Sequence, residues 1–142
     1  MRSILSALTL IFLLAGCTAS RQYFTDEKVI GPYTPAIQIG EFIYVSGQIA
    51  MKPGTTELAG DDIETQVRQV MENIKAVLAR TGATMNDVVQ CTVYLKDMND
   101  FAKMNQIYGS YFVPGRAPTR TTVEISNLPR NAKVEITAVA HK

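Results

Sequence analysis

The chain has 142 residues, 46% of them apolar and 19% charged, with a formal charge of +1, which suits a single globular domain built on one core. No run or stripe of basic residues stands out, so nucleic acid binding finds no electrostatic support. One histidine, His141 at the C-terminal edge, and two cysteines argue against Ser-His-Asp or Cys-His catalysis and leave no His/Cys metal cluster to assemble.

In chain order, the first feature is MRSILSALTLIFLLAG, one basic residue followed by an apolar run from Ile4 to Leu14 and then small residues. This is the layout of a secretory signal, and about eleven apolar residues fall short of the about 20 that cross a bilayer as a helix. Its end, Leu14-Ala15-Gly16-Cys17, resembles the lipobox of bacterial lipoproteins. That resemblance implies cleavage before Cys17, lipidation of Cys17 and export to the cell envelope with a membrane anchor. Thr18 lacks the Asp associated with inner-membrane retention, so the expected address is the outer membrane, facing the periplasm. A plain cleaved signal and a buried N-terminal helix are the alternatives. Residues 1–16 are read as signal peptide, 17–28 as lipidated Cys and polar tether, and 29–142 as the domain. Loss of the signal removes Arg2, one of 14 basic side chains, and leaves the mature chain balanced against its 13 acids. It also leaves Cys91 without an intrachain partner, in the apolar run VVQCTVYL, where a buried inert thiol is the expectation.

AIQIGEFIYVSGQIA reads as a β-hairpin from about Ala36 to Ile49 that turns at Gly40-Glu41. MKPGTTELAG is a loop by its Pro and Gly content. From Asp62 to Arg80 the spacing is helical, with Ile63, Val67, Val70, Met71, Ile74, Val77 and Leu78 in one apolar stripe. Asp61 or Asp62 is placed to cap its start, and Gly82 follows its end. Val88 to Leu95 reads as a strand, and NDFAKMNQIYGSYF as a second helix whose apolar face is Phe101, Met104, Ile107, Tyr108 and Tyr111. TRTTVEI and KVEITAV, either side of the turn-like NLPRNA, read as two closing strands of one hairpin. The order β-β-α-β-α-β-β predicts a two-layer α+β domain with both helices on one face of a mixed sheet. Arg120, Thr122, Glu124 and Glu135 are expected on the other face.

No Gly-rich phosphate loop precedes either helix. Catalysis, if present, rests on carboxylates, Arg, hydroxyls and amides, which polarise, position and move protons. Alternation alone does not separate a wet hairpin face from a site at Arg120 and Glu135.

Ile30-Gly31-Pro32-Tyr33, Val45-Ser46-Gly47-Gln48, Pro118-Thr119-Arg120 and Val134-Glu135-Ile136, with DMNDFAKMNQIY between them, resemble the Rid family (reactive intermediate deaminases of the YjgF/UK114 type). The resemblance covers roughly residues 28 to 141. It implies a chorismate-mutase-like α+β fold that assembles as a homotrimer around a central barrel, with ligand clefts between subunits. It implies hydrolytic deamination of small 2-imino acids or enamines to 2-keto acids and ammonia, as in a 2-iminobutanoate/2-iminopropanoate deaminase. No metal and no organic cofactor is implied. A non-catalytic small-carboxylate-binding module and an envelope scaffold lipoprotein remain the alternatives on the same fold.

The resemblance also distributes roles. Arg120 suits a substrate carboxylate, because its guanidinium binds such a group bidentately and keeps its charge; its plain alternative is a surface pair with Glu124. Glu135 is placed to activate the attacking water, against a solvated strand position otherwise. Tyr33 is the third candidate catalytic residue, or else a half-buried turn aromatic. Ser46 and Gly47 are read as a strand end that meets the substrate, or as turn chemistry. Asn105 is read as a site-orienting residue, or as an exposed helix position. Thr122 stands where many family members carry Cys, so its hydroxyl or backbone N–H replaces any thiol role.

Overall fold

The computed structural model describes residues 20–25, 29 and 31–142. The stretch read as a signal peptide, residues 1–16, and Cys17 lie outside the described residues. Six strands and two helices follow one another: β1 (Arg21–Phe24), β2 (Ala36–Ile39), β3 (Phe42–Ile49), α1 (Ile63–Arg80), β4 (Val88–Leu95), α2 (Phe101–Gly109), β5 (Thr119–Glu124) and β6 (Val134–His141). They form one mixed sheet of order β1-β2-β3-β6-β4-β5. This is the α+β arrangement that the element order predicts.

Local chemistry explains most of the boundaries. The β2–β3 hairpin turns at Gly40, whose φ of 59 lies in the left-handed region that glycine reaches without a side-chain clash. Asp62 caps α1 by accepting the Thr65 N–H at 2.7 Å. Gly82, at φ 74, follows the end of α1. The whole predicted stripe of α1 is buried. Met71, Ile74 and Leu78 meet Ile43, Leu95 and Ile136 of the sheet in a core where each is fully buried. Cys91 is part of that core, 1% exposed, and burial holds its thiol above the usual range. It is the inert thiol its apolar setting predicts.

Three expectations are corrected. Part of the supposed tether is strand: β1 pairs antiparallel with β2, from Arg21 opposite Ile39 to Phe24 opposite Ala36. A sheet edge needs backbone donors and acceptors rather than apolar side chains, so polarity does not report such a strand. The two closing strands are not a hairpin. β5 pairs parallel with β4, with Arg120 opposite Cys91, while β6 inserts between β3 and β4. Parallel neighbours need a crossover, and α2 supplies it between β4 and β5. The 128–132 connection then passes through a 3-10 turn with Arg130 and Asn131 both at positive φ. Leu128 and Ala132 of that connection bury a small second cluster with Ile49.

The third correction concerns faces. Register puts Arg120, Cys91 and Ala138 on one side of the sheet. Cys91 and Ala138 belong to the core beneath the helices, so Arg120, and with it Thr122 and Glu124, lies on the helix face. Glu135 pairs with Tyr94 and Ile49 and lies on the opposite face, as expected.

Candidate active site

The structure gathers the predicted site residues into two groups. The first surrounds Glu135 in a cleft of about 310 Å³, lined by Tyr33, Ser46, Gly47, Gln48 and Glu135 among others. β3 reaches it through a register shift against β6: Val45 faces Ala138, but Gln48 faces Ile136. Ser46 and Gly47 therefore oppose a single residue, a β-bulge that bends the strand and re-aims its side chains. Ser46 anchors the bulge to the preceding segment, donating from Oγ to the Thr34 carbonyl at 2.6 Å and from its N–H to the Pro35 carbonyl at 3.0 Å. The Glu135 carboxylate lies directly over Gly47. A Cβ at that position would stand 1.9 Å from Glu135 Oε1, so only glycine lets the carboxyl occupy this place. Partial burial raises the Glu135 pKa above the usual carboxylate value, because leaving water penalises the charged form.

The second group forms on α2 and β5. Arg120 Nη2 donates to Asn105 Oδ1 at 2.8 Å. Its guanidinium carbon sits 4.7 Å from the centre of the Tyr108 ring and 5.7 Å from that of Phe101. Such cation–π contacts, with one fixed hydrogen bond, hold the fork in place and leave other N–H donors for a ligand. Asn105 is thus a partner of Arg120 rather than an idle helix residue. Glu124 is not paired with Arg120; it accepts the Met98 N–H at 2.6 Å and closes the turn into α2. Thr122 lies on the helix face of β5, and its hydroxyl, like that of Tyr108, is buried without a hydrogen-bond partner among the described residues. The Tyr108 hydroxyl has the Cys91 thiol beside it, whose sulfur is a weak acceptor. Burial raises the Tyr108 pKa, so this phenol stays protonated.

The two groups do not meet within one chain. Arg120 and Glu135 are two strands and three residue positions apart, about 14 Å, and on opposite faces of the sheet. Tyr33, Ser46, Gly47 and Glu135 are brought together; Arg120, Asn105 and Thr122 are brought together elsewhere.

Residues 25–142 match the family model described as endoribonuclease L-PSP. The chain belongs to that family. A RutC family protein of Pyrococcus abyssi is 50% identical over 126 residues, 87% of this chain and 98% of the relative. A 2-iminobutanoate/2-iminopropanoate deaminase of Salmonella typhimurium is 41% identical across 78% of this chain and 88% of its own length. Among solved structures, the YjgF gene product of Escherichia coli superposes with a TM-score of 0.78 at 37% identity, covering 85% of this chain and 98% of that one. The α+β fold is that of these family members.

Within this family member, sequence reasoning missed Tyr108 as the platform under Arg120 and Gln48 and Asn73 as cleft walls. Phe101, Asn105 and Tyr108 recur at i, i+4 and i+7, so helical periodicity pointed to one face for all three. For Gln48 and Asn73 the chain carries no comparable signal, because both depend on how α1 sits against the end of β3.

Proposed function

We propose that the protein hydrolyses small 2-imino acids, and the enamines in equilibrium with them, to 2-keto acids and ammonia. The observation that carries this reading is the Glu135 carboxylate lying across Gly47, half-buried, beside Tyr33 and Ser46. A carboxylate whose pKa burial has raised is a stronger base than an ordinary one and, once protonated, can return the proton. Glu135 takes a proton from water as the water oxygen attacks the carbon of the protonated imine. The resulting neutral carbinolamine is protonated at nitrogen by the same carboxyl, the C–N bond breaks and ammonia leaves, and the hydroxyl passes its proton to the freed Glu135 carboxylate as the C=O of the keto acid forms. Tyr33 and Ser46 border the substrate. Arg120, steadied by Asn105 and Tyr108, binds the substrate carboxylate.

One chain holds Arg120 too far from Glu135 to serve the same small substrate. This supports a site completed by the Arg120 of a neighbouring copy, in a homotrimer with its clefts between subunits. The sheet face away from the helices exposes Phe42 (44%), Tyr44 (48%) and Val123 (37%), apolar surface of the kind that meets another subunit. The relative named as an imine deaminase supports the chemistry. Cleavage of RNA finds less support, since Glu135 is the one titratable acid lining the cleft and no histidine lines it among the described residues.

We also propose that residues 1–16 direct export and that Cys17 carries a lipid anchoring the domain to the envelope. Metabolic lipid labelling lost in Cys17→Ala tests this; labelling that persists in that variant removes it.

The activity is tested by producing 2-iminopropanoate in place with an amino-acid oxidase and following its capture by semicarbazide. Wild-type protein should speed the loss of imine, and Glu135→Gln and Arg120→Ala should each abolish the gain. A wild-type protein no faster than these variants ends the proposal. Keto-acid binding without turnover would instead favour a binding module.

A further inference from the structure

A second cavity of about 230 Å³ opens beside the Glu135 cleft, between α1 and the loop after β3. The two share Tyr33, Gln48, Met51 and Asn73, so they are compartments of one groove. Within the shared wall, the Asn73 amide and the Gln48 NH2 already have partners. Asn73 Nδ2 donates to the carbonyls of Ile49 and Met51 at 3.1 and 3.0 Å, and its Oδ1 accepts from Gln69 at 2.8 Å. Gln48 Nε2 donates to the Ser46 carbonyl at 3.0 Å. Past that wall the lining is mostly carbon, with Pro35, Pro53, Ala76 and Val77, and its polar side chains are engaged: Thr55 Oγ1 donates to the Lys52 carbonyl and accepts from the Glu57 N–H, and Arg80 donates to the Thr25 carbonyl. Lys52 at the rim is held by Glu57 at 3.3 Å.

A chain entering here past Tyr33 gains by leaving water, while a polar chain would lose hydrogen bonds to water without replacement. We propose that this second compartment receives the side chain of the substrate, and that the protein favours imino acids with branched aliphatic or aromatic side chains over 2-iminopropanoate. The inference rests on the imine reading above and adds the side-chain class. A methyl side chain ends inside the Glu135 cleft and leaves the compartment in water. Each methylene accommodated in an apolar pocket changes kcat/KM by about tenfold or more.

The experiment compares imino acids generated from alanine, leucine and phenylalanine in the semicarbazide assay. Wild-type kcat/KM should be about tenfold or more higher for the leucine or phenylalanine product than for the alanine product. Ala76 is exposed on α1 and lines the compartment, so Ala76→Phe fills it without entering the core. That variant should cut the long-to-short ratio about tenfold, and Thr55→Trp, from the opposite wall, should do the same. Lys75→Phe, an equal ring on the exposed face of α1 outside the groove, should leave the ratio unchanged. A wild type without preference for longer chains, or a ratio untouched by both filling variants, overturns the inference while turnover of 2-iminopropanoate preserves the deaminase reading. Absence of turnover with every imino acid overturns both.

Discussion

Glu135 sits in an environment unlike that of a solvated strand position. Its carboxyl is half-buried, and desolvation lifts its pKa above 4.5. Below pH 4.5 the group is neutral in the folded and the unfolded chain alike, and burial costs nothing. Between 4.5 and the raised native value, the folded chain keeps a proton that the unfolded chain has released. Stability contributed by the neutral form is therefore lost as pH rises through that window. Glu135→Gln keeps the shape and removes the charge, so it should melt higher than wild type at pH 7.5 and equally at about pH 4. Thermal melts at the two pH values check this, and a variant less stable at pH 7.5 contradicts it. If Glu135 is the base proposed above, the same shift should make kcat/KM fall on the acid side at a pH above the usual carboxylate range, because the base must be deprotonated.

At the scale of elements, the bulge in β3 and the bare backbone at Gly47 decide where that carboxyl rests. Gly47→Ala places a methyl 1.9 Å from Glu135 Oε1 and 2.8 Å from its Cδ, so the carboxyl must swing away. Activity should fall about tenfold or more, as misplacing a catalytic group by about an ångström commonly does. In a Glu135→Asp background, whose carboxyl is one methylene shorter and keeps residual activity, the same change should cost almost no further activity, since the two residues act as one unit. Additive losses in that double-mutant cycle would show that Gly47 acts by another route. The hairpin of β2 and β3, the stripe of α1 and the strand β4 were legible because periodicity, caps and turns report local conformation. Pairing between distant strands was not. Alternation in TRTTVEI and KVEITAV announces two strands and says nothing about which neighbour each one meets. The crossover β4-α2-β5 was the available clue, since a strand after a helix after a strand packs parallel to the first. Read that way, Arg120 falls beside Cys91 on the helix face.

For the whole molecule, the separation of Arg120 from Glu135 turns the site into a statement about assembly. The Glu135 half came together in space from Tyr33, Ser46 and Gly47, as the motifs in the chain suggested. The Arg120 half formed on the other face, so the proposed site requires a second copy whose edge strand approaches the cleft. In a ring, each contact joins the Arg120 side of one subunit to the Glu135 side of the next. Arg120→Ala and Glu135→Gln then damage different partners of every contact. Unfolding the two inactive proteins together and refolding the mixture distributes both in each ring. A contact works when it draws its arginine from the Glu135→Gln chain and its glutamate from the Arg120→Ala chain. Random mixing makes about a quarter of contacts intact. The mixture should recover about a quarter of wild-type imine hydrolysis, while each variant refolded alone stays inactive. Refolded mixtures that remain inactive, although they assemble normally by size, would place both residues of a working site in one chain and refute the shared cleft.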